Sequence, residues 1–241
     1  MKEIHYFYTP NPEITQELSE EDVAHAIRVL RMTEGDEIML MNGKGTFYRA
    51  VITLASKKRC LFNILEAIPQ KPLWNGRIHL AMAPTKNMDR IEWMVEKATE
   101  IGFDELTFLC CKNSERKIVK TERIEKILIS AMKQSRKPFK PLVNPIINFE
   151  HFLNSDFPCN KYICHCHDMN QDKNIMNKPL LKDVLNANDN SLVLIGPEGD
   201  FSREEVEMAE KAGFLSVSLG ESRLRTETAA LVAVHIMNIF C

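Results

Sequence analysis

"SLVLIGPEGDFSREEVEMAEKAG", residues 191–213, holds the three parts of one α/β unit in a single stretch. SLVLI is a short apolar run closed by glycine, the pattern of a buried strand. Gly196 and Gly199 bracket a loop in which backbone N–H and C=O groups can approach a ligand closely. Ser202 followed three residues later by Glu205 is a capping box, which sets the start of the next helix. A strand that passes through a glycine loop into a helix belongs to an α/β fold, where ligands bind beyond the carboxyl ends of the strands. Neither G-x-G-x-x-G nor G-x-x-x-x-G-K-[ST] occurs, so an ordinary dinucleotide site or a P-loop is not indicated.

Toward the C-terminus the pattern recurs. LSVSLG is a strand ending at Leu219 and Gly220, and GESRLRTETAALVAV (220–234) enters a helix whose apolar half is buried. Two glycine loops at two strand ends can form two walls of one pocket. Arg225, Thr226, Glu227 and Thr228 stand at the entrance of this last helix, where a cation opposes the helix dipole. Either an anion or developing negative charge requires Arg225, or it pairs structurally with Glu227 or another acid.

Toward the N-terminus, from residue 77, strands and helices alternate. RIHLAMA reads as a strand, MDRIEWMVEKATEIG as a helix with Ile91, Met94, Val95, Ala98 and Ile101 on one face, and DELTFLC as a strand. The basic helix TERIEKILISAMKQS follows, then LVNPIIN and KYICHCHD. Five or more strands, several separated by helices, predict an α/β domain with a largely parallel sheet. PQKPLWNG reads as a linker. Before it, to about residue 70, DEIMLMNGKG, TFYRAVITLAS and KRCLFNILEAI predict a compact β-rich module with a short helix over EEDVAHAIRVLR.

With 241 residues, 44% hydrophobic and 27% charged, the chain is globular rather than disordered. The start, MKEIHYFYTPNPE, lacks the apolar core of a secretory signal, and AALVAVHIMNIFC is shorter than the roughly 20 apolar residues of a spanning helix, so a soluble, intracellular protein with no membrane contact is expected. Seven cysteines without regular spacing fit a reducing compartment. Cys159, Cys164, His165, Cys166 and His167 lie close together, but two cysteines two apart on a strand do not give zinc-ligand spacing; the expected reading is packing, and no metal site. Net charge is -2, yet residues 112–140 carry ten Lys/Arg against three acids, a local +7 that leaves -9 for the rest. Such asymmetry points to a face for a polyanion, against the plainer reading of a solvated helix face.

LIGPEGDFSREEV followed by LGESRLRTETAAL resembles the signature of the RsmE family, within the SPOUT superfamily of knotted methyltransferases. PTKNMDRIEWMVEKATEIGFDE, AMKQSRK and HAIRVLRMTEGDEI extend the resemblance over nearly the whole chain. It implies a PUA-like RNA-binding β-barrel over 1–70 and, over 77–241, an S-adenosylmethionine-binding α/β domain with a parallel sheet and a deep trefoil knot. It also implies a cytoplasmic homodimer that methylates N3 of a uridine in the decoding region of 16S ribosomal RNA, alone or in the small ribosomal subunit. Cofactor contacts would come from Ile195, Gly196, Pro197, Glu198, Gly199, Leu219, Gly220, Leu224, Arg225, Thr226 and Thr228. Arg225 would stabilise charge on the uracil oxygens, with Glu227 the base or the orienter of Arg225. Arg28, Arg31, Arg49, Lys86, Arg116, Lys133 and Arg136 are the candidate RNA contacts. Ser222 stands where the family often has a basic residue, with Arg223 beside it. An RNA-binding or ribosome-assembly protein without catalysis, and a methyltransferase for another RNA position, are the alternatives.

Overall fold

The computed structural model describes residues 4–167 and 178–240. By contact the chain divides into two compact units: Met1–Leu73 with Ile129–Lys140, and Trp74–Leu128 with Pro141–Cys241.

In the smaller unit, β1 (His5–Tyr8), β2 (Glu37–Met41), β3 (Thr46–Ala55) and β4 (Cys60–Pro69) form one sheet in sequence order, with β1 and β2 parallel and the other pairs antiparallel. Two short helices, α1 (Pro12–Thr15) and α2 (Glu20–Ala24), lie between β1 and β2. The expected helix over EEDVAHAIRVLR is only partly regular: after α2, whose cap Ser19 accepts from the Asp22 N–H, residues His25–Val29 widen into a π-turn that ends at Arg31 with a left-handed φ of 54°. Phe7, Ile38, Leu40, Ala50, Ile52 and Phe62 fill the core beneath the sheet. Alternation along β2 and β3 supplies that face.

The domain expected over 77–241 includes Ile129–Lys140, which by contact group with the smaller unit. There the Gly45 N–H donates to the Pro138 carbonyl (3.0 Å) and the Lys140 N–H to the Gly43 carbonyl (2.9 Å). Lys133 Nζ meets buried Asp22 at 2.8 Å, and the Arg136 guanidinium lies 5.1 Å from the centre of the Tyr6 ring. Gly45 has φ +90°, and a Cβ there would fall within 2.5 Å of Phe139 ring atoms.

In the larger unit, β5 (Ile78–Met82), β6 (Glu105–Cys110), β7 (Leu142–Asn148), β8 (Asn160–Cys164), β9 (Ser191–Ile195) and β10 (Leu215–Val217) form a six-stranded sheet in the order β10-β8-β9-β5-β6-β7. Every pairing in it is parallel. β5 and β9 are buried along their whole length, which explains their unbroken apolar text. The helices of this unit are α3 (Met88–Ile101), α5 (Phe149–Leu153), α6 (Leu181–Val184), α7 (Arg203–Lys211) and α8 (Thr226–Phe240), while α4 (Thr121–Ser135) belongs to it only up to Leu128.

One face of the sheet is closed by α5 and α7 through Phe149, Phe152, Val206 and Ala209, packed on Ala81, Leu109, Ile163 and Leu194. α3 and α8 pack together, and α8 also meets β5 and β9. These two helices run in the same sense. Arg90 meets Glu227 near their starts, and the Asn238 side-chain amide donates to the Gly102 carbonyl (3.2 Å) near their ends. Among the described residues no helix is long and apolar enough to cross a membrane.

Replacing Gly45 by Val adds both left-handed strain and a clash with Phe139. Urea unfolding of Gly45→Val should show a loss of about 2–4 kcal/mol, whereas Gly35→Val, with nothing within 4 Å of its Cβ position, should show only the strain part.

Candidate cofactor and catalytic site

Because all six strands are parallel, their carboxyl ends reach one edge of the sheet. The loops after β9 and β10 therefore open on the same edge, two strand spacings or roughly 10 Å apart, with the end of β8 between them. Gly196 and Gly220, expected to wall one pocket, both follow strands that end at this edge.

The loop after β9 is tied down at each step. Ile195 accepts from the Ala83 N–H at 3.0 Å. At Gly196 a Cβ would stand 3.0 Å from both the backbone nitrogen and the ring of Phe201, so the close turn requires glycine. Pro197 is buried, while Glu198 and Gly199 are exposed. Both Glu198 carboxylate oxygens accept from the Lys86 N–H (3.2 Å each), in the loop after β5. Asn113, after β6, donates to the Asp200 carbonyl at 3.1 Å. The capping box forms as expected: Ser202 N–H donates to Glu205 Oε2 (2.8 Å), and the Glu205 N–H donates to Ser202 Oγ (3.3 Å). The other oxygen of Glu205 accepts from the Lys112 N–H at 2.7 Å, a link that no sequence pattern suggests.

The loop after β10 starts beside the chain entering α6. Ser218 N–H donates to the Pro179 carbonyl and Leu181 N–H to the Ser218 carbonyl, both at 2.9 Å. Gly220 follows with φ +132° and open space where a Cβ would stand. Leu219 and Leu224 are half-buried; Glu221, Ser222, Arg223 and Arg225 are exposed.

At the head of α8, Thr226 and Glu227 are buried and Thr228 is half-buried. The ion pair of Arg225 with Glu227 that the sequence left open does not form. Glu227, its side chain 8% exposed, instead faces Arg90 of α3, Oε1 to Nε 3.8 Å, too long for a hydrogen bond. Its Oε2 is buried with no hydrogen-bond partner among the described residues. Nor does Arg225 have an ion pair among them. Sequence reasoning missed Arg90, although the rule that singled out Arg225, a cation in the first turn of a helix, applies equally to the start of α3.

The cysteine and histidine segment is a packing and hydrogen-bond feature. Burial pushes the Cys164 thiol up to about 12, and Cys166 is exposed beyond the strand. Burial, and then Lys178, push His165 down to about 4, so its imidazole is neutral near pH 7. Ser216 Oγ donates its one proton to Glu210 (2.7 Å), so His165 must donate to Ser216 from Nε2 (3.0 Å). Lys178 Nζ donates to the carbonyls of His165 (2.5 Å) and His167 (3.1 Å), and the Cys166 N–H donates to Asp200 (2.7 Å). Among the described residues no cluster of three or more His, Cys, Asp or Glu side chains is placed to hold a metal ion.

The seven candidate RNA contacts separate by environment. Arg28 and Arg31 are exposed and have no ion pair among the described residues. Arg136 is exposed over Tyr6. Arg49 pairs with Glu37 (3.5 Å) and Glu66 (3.4 Å), Lys133 with Asp22, and Lys86 Nζ with Glu115 (2.9 Å). Arg116 donates to the carbonyls of Thr85 (3.2 Å) and Lys86 (2.6 Å).

Two family models match: an RNA methyltransferase domain over residues 72–238 and an RNA methyltransferase PUA domain over residues 18–65. A solved probable rRNA-methyltransferase from Porphyromonas gingivalis is 40% identical, with a TM-score of 0.90 over 98% of this chain and 99% of that one. The ribosomal RNA small subunit methyltransferase E of Neisseria gonorrhoeae, solved bound to S-adenosyl methionine, is 27% identical, with a TM-score of 0.83 over 98% of each chain. A protein of the same name from Mesomycoplasma hyopneumoniae is 33% identical over 70% of this chain and 72% of its own length. With the catalytic-domain match spanning most of the chain and the second match on the smaller unit, this protein belongs to the RsmE family of RNA methyltransferases.

Proposed function

We propose that this protein transfers a methyl group from S-adenosylmethionine to N3 of a uridine in the decoding region of 16S ribosomal RNA, in the cytoplasm and as a homodimer. One observation carries the reading. A buried carboxylate, Glu227, with one oxygen unpaired among the described residues, and an exposed guanidinium, Arg225, without an ion pair among them, start the same helix at the edge where both glycine loops open. The cofactor needs bare backbone to approach, and the close turn at Gly196 and the open space beside Gly220 are compatible with that. Ile195, Gly196, Pro197, Glu198 and Gly199 on one side, with Leu219, Gly220, Leu224, Thr226 and Thr228 on the other, would hold it. When bound, S-adenosylmethionine supplies a sulfonium-activated methyl group.

N3 of uracil carries a proton and becomes a nucleophile only when that proton leaves. Glu227, facing Arg90, is the acceptor we assign to it. Negative charge then spreads to the uracil oxygens, where Arg225 stabilises it. The uridine must be turned out of its RNA stack to reach the edge, at a cost of a few kcal/mol. Phosphate contacts offset that cost, and Arg28, Arg31 and Arg136 are the candidates that are exposed and have no ion pair among the described residues. A knotted path fits the hydrogen bonds that hold the chain leaving β10 beside Pro179 and Leu181 before it turns inward to α8.

Arg225→Ala should lower kcat for methylation of small-subunit RNA by about 100- to 1000-fold with the unfolding midpoint unchanged; a near-normal rate removes Arg225 from the chemistry. Nuclease digestion and mass spectrometry of RNA treated with the wild-type protein should give 3-methyluridine. A ribose-methylated product would assign the protein to another RNA position, and no product on any RNA would assign it to binding alone.

Replacing Arg28 and Arg31 together by Ala should weaken RNA binding across sequences and flatten the slope of log K against log salt by about 1–2. An unchanged slope would exclude this surface of the smaller unit.

A further inference from the structure

We propose that Arg116, which its charge marks as an RNA contact, is instead a positioning residue: it grips the Thr85–Lys86 peptide from one side so that the Lys86 N–H is held against Glu198 in the loop after β9. The inference rests on the proposed role of that loop in holding S-adenosylmethionine, and adds a residue outside both glycine loops.

The geometry is that of one rigid peptide unit held at both ends. The Thr85 carbonyl and the Lys86 N–H belong to the same trans peptide, so planarity points them in opposite directions. Arg116 Nε donates to the Thr85 carbonyl at 3.2 Å, and the Lys86 N–H reaches both Glu198 oxygens at 3.2 Å. Rotating the peptide to release one contact releases the other. Arg116 Nη2 also donates to the next carbonyl, that of Lys86, at 2.6 Å, which fixes the neighbouring peptide as well. A cation on the carbonyl and a carboxylate on the N–H polarise the same amide in the same sense, and so reinforce each other.

Surrounding contacts hold the clamp. Thr85 is fully buried and its hydroxyl donates to the Asn87 carbonyl at 2.7 Å. Lys86 Nζ pairs with Glu115, the residue before Arg116, at 2.9 Å. Three residues earlier, Asn113 touches the loop after β9 directly through the Asp200 carbonyl. Segments after β5, β6 and β9 thus form one hydrogen-bonded layer, with Arg116 its only guanidinium among the described residues. Arg116 is engaged with these two backbone carbonyls and acts through Lys86 and Glu198.

Two measurements on the full-length protein test this. Hydrogen exchange without cofactor should show faster exchange in Arg116→Ala at the Lys86 amide and in residues 195–200. Calorimetry with S-adenosylmethionine alone should show a Kd raised about tenfold, with Arg116→Lys, which can still reach one carbonyl, falling between. In a Glu198→Ala background the further change Arg116→Ala should have little effect on Kd, because the route through Glu198 is already cut. RNA affinity and its salt slope should stay unchanged in Arg116→Ala.

Wild-type Kd and exchange in Arg116→Ala, or a lowered salt slope with normal cofactor binding, would overturn the proposal and return Arg116 to the RNA contacts. Should Arg116→Ala not fold, Arg116→Lys with wild-type Kd and exchange overturns it equally. A wild-type protein that binds S-adenosylmethionine but methylates no small-subunit RNA would defeat the proposed function and leave this inference standing.

Discussion

All six strands of the larger sheet point the same way, and the rest of the larger unit follows from that constraint. Parallel strands need crossovers over the sheet, which carry α3, α5 and α7, and α8, after the last strand, packs on α3, β5 and β9. The same geometry sends every strand's carboxyl end, and the starts of α3, α7 and α8, to one edge. Free backbone N–H groups and positive helix ends gather where the loops are most able to vary.

Charge at that edge is arranged in a consistent way. Three acids answer the positive helix ends: Glu205 in the capping box of α7, Glu227 in the first turn of α8, and Glu198 on the Lys86 N–H. Each also does something a surface carboxylate does not. Glu205 reaches across to the Lys112 N–H, Glu198 joins two loops, and Glu227 keeps one buried oxygen without a partner among the described residues. Two cations, Arg90 and Arg225, sit in positions the helix dipole disfavours; Arg90 answers Glu227, and Arg225 has no such partner among the described residues. An unpaired group in a costly place is the feature on which the proposed site rests.

The segment KYICHCHD shows how chemistry-bearing residue types can serve packing. Cys164 closes the end of β8 as a small apolar group, and His165, neutral in its burial, links Ser216 of β10 to the carbonyl-rich turn held by Lys178. With the bond from the Cys166 N–H to Asp200, these contacts join the ends of β8 and β10 to the loop after β9.

From its sequence alone the chain determined its α/β class, the helix starts at Ser202 and Thr226, the β-rich first module and the two glycine loops, because periodicity, capping and glycine chemistry are local properties written within a few residues of each other. What the sequence could not carry is anything that depends on which distant segments meet. Strand order, the inclusion of Ile129–Lys140 in the smaller unit, the pairing of Glu227 with Arg90 rather than Arg225, and the use of Arg116 on the Thr85 and Lys86 carbonyls were decided by the tertiary structure. A charged side chain reads the same in the sequence whether it faces water, phosphate or a buried carbonyl, and only the fold brings its partner within hydrogen-bond reach.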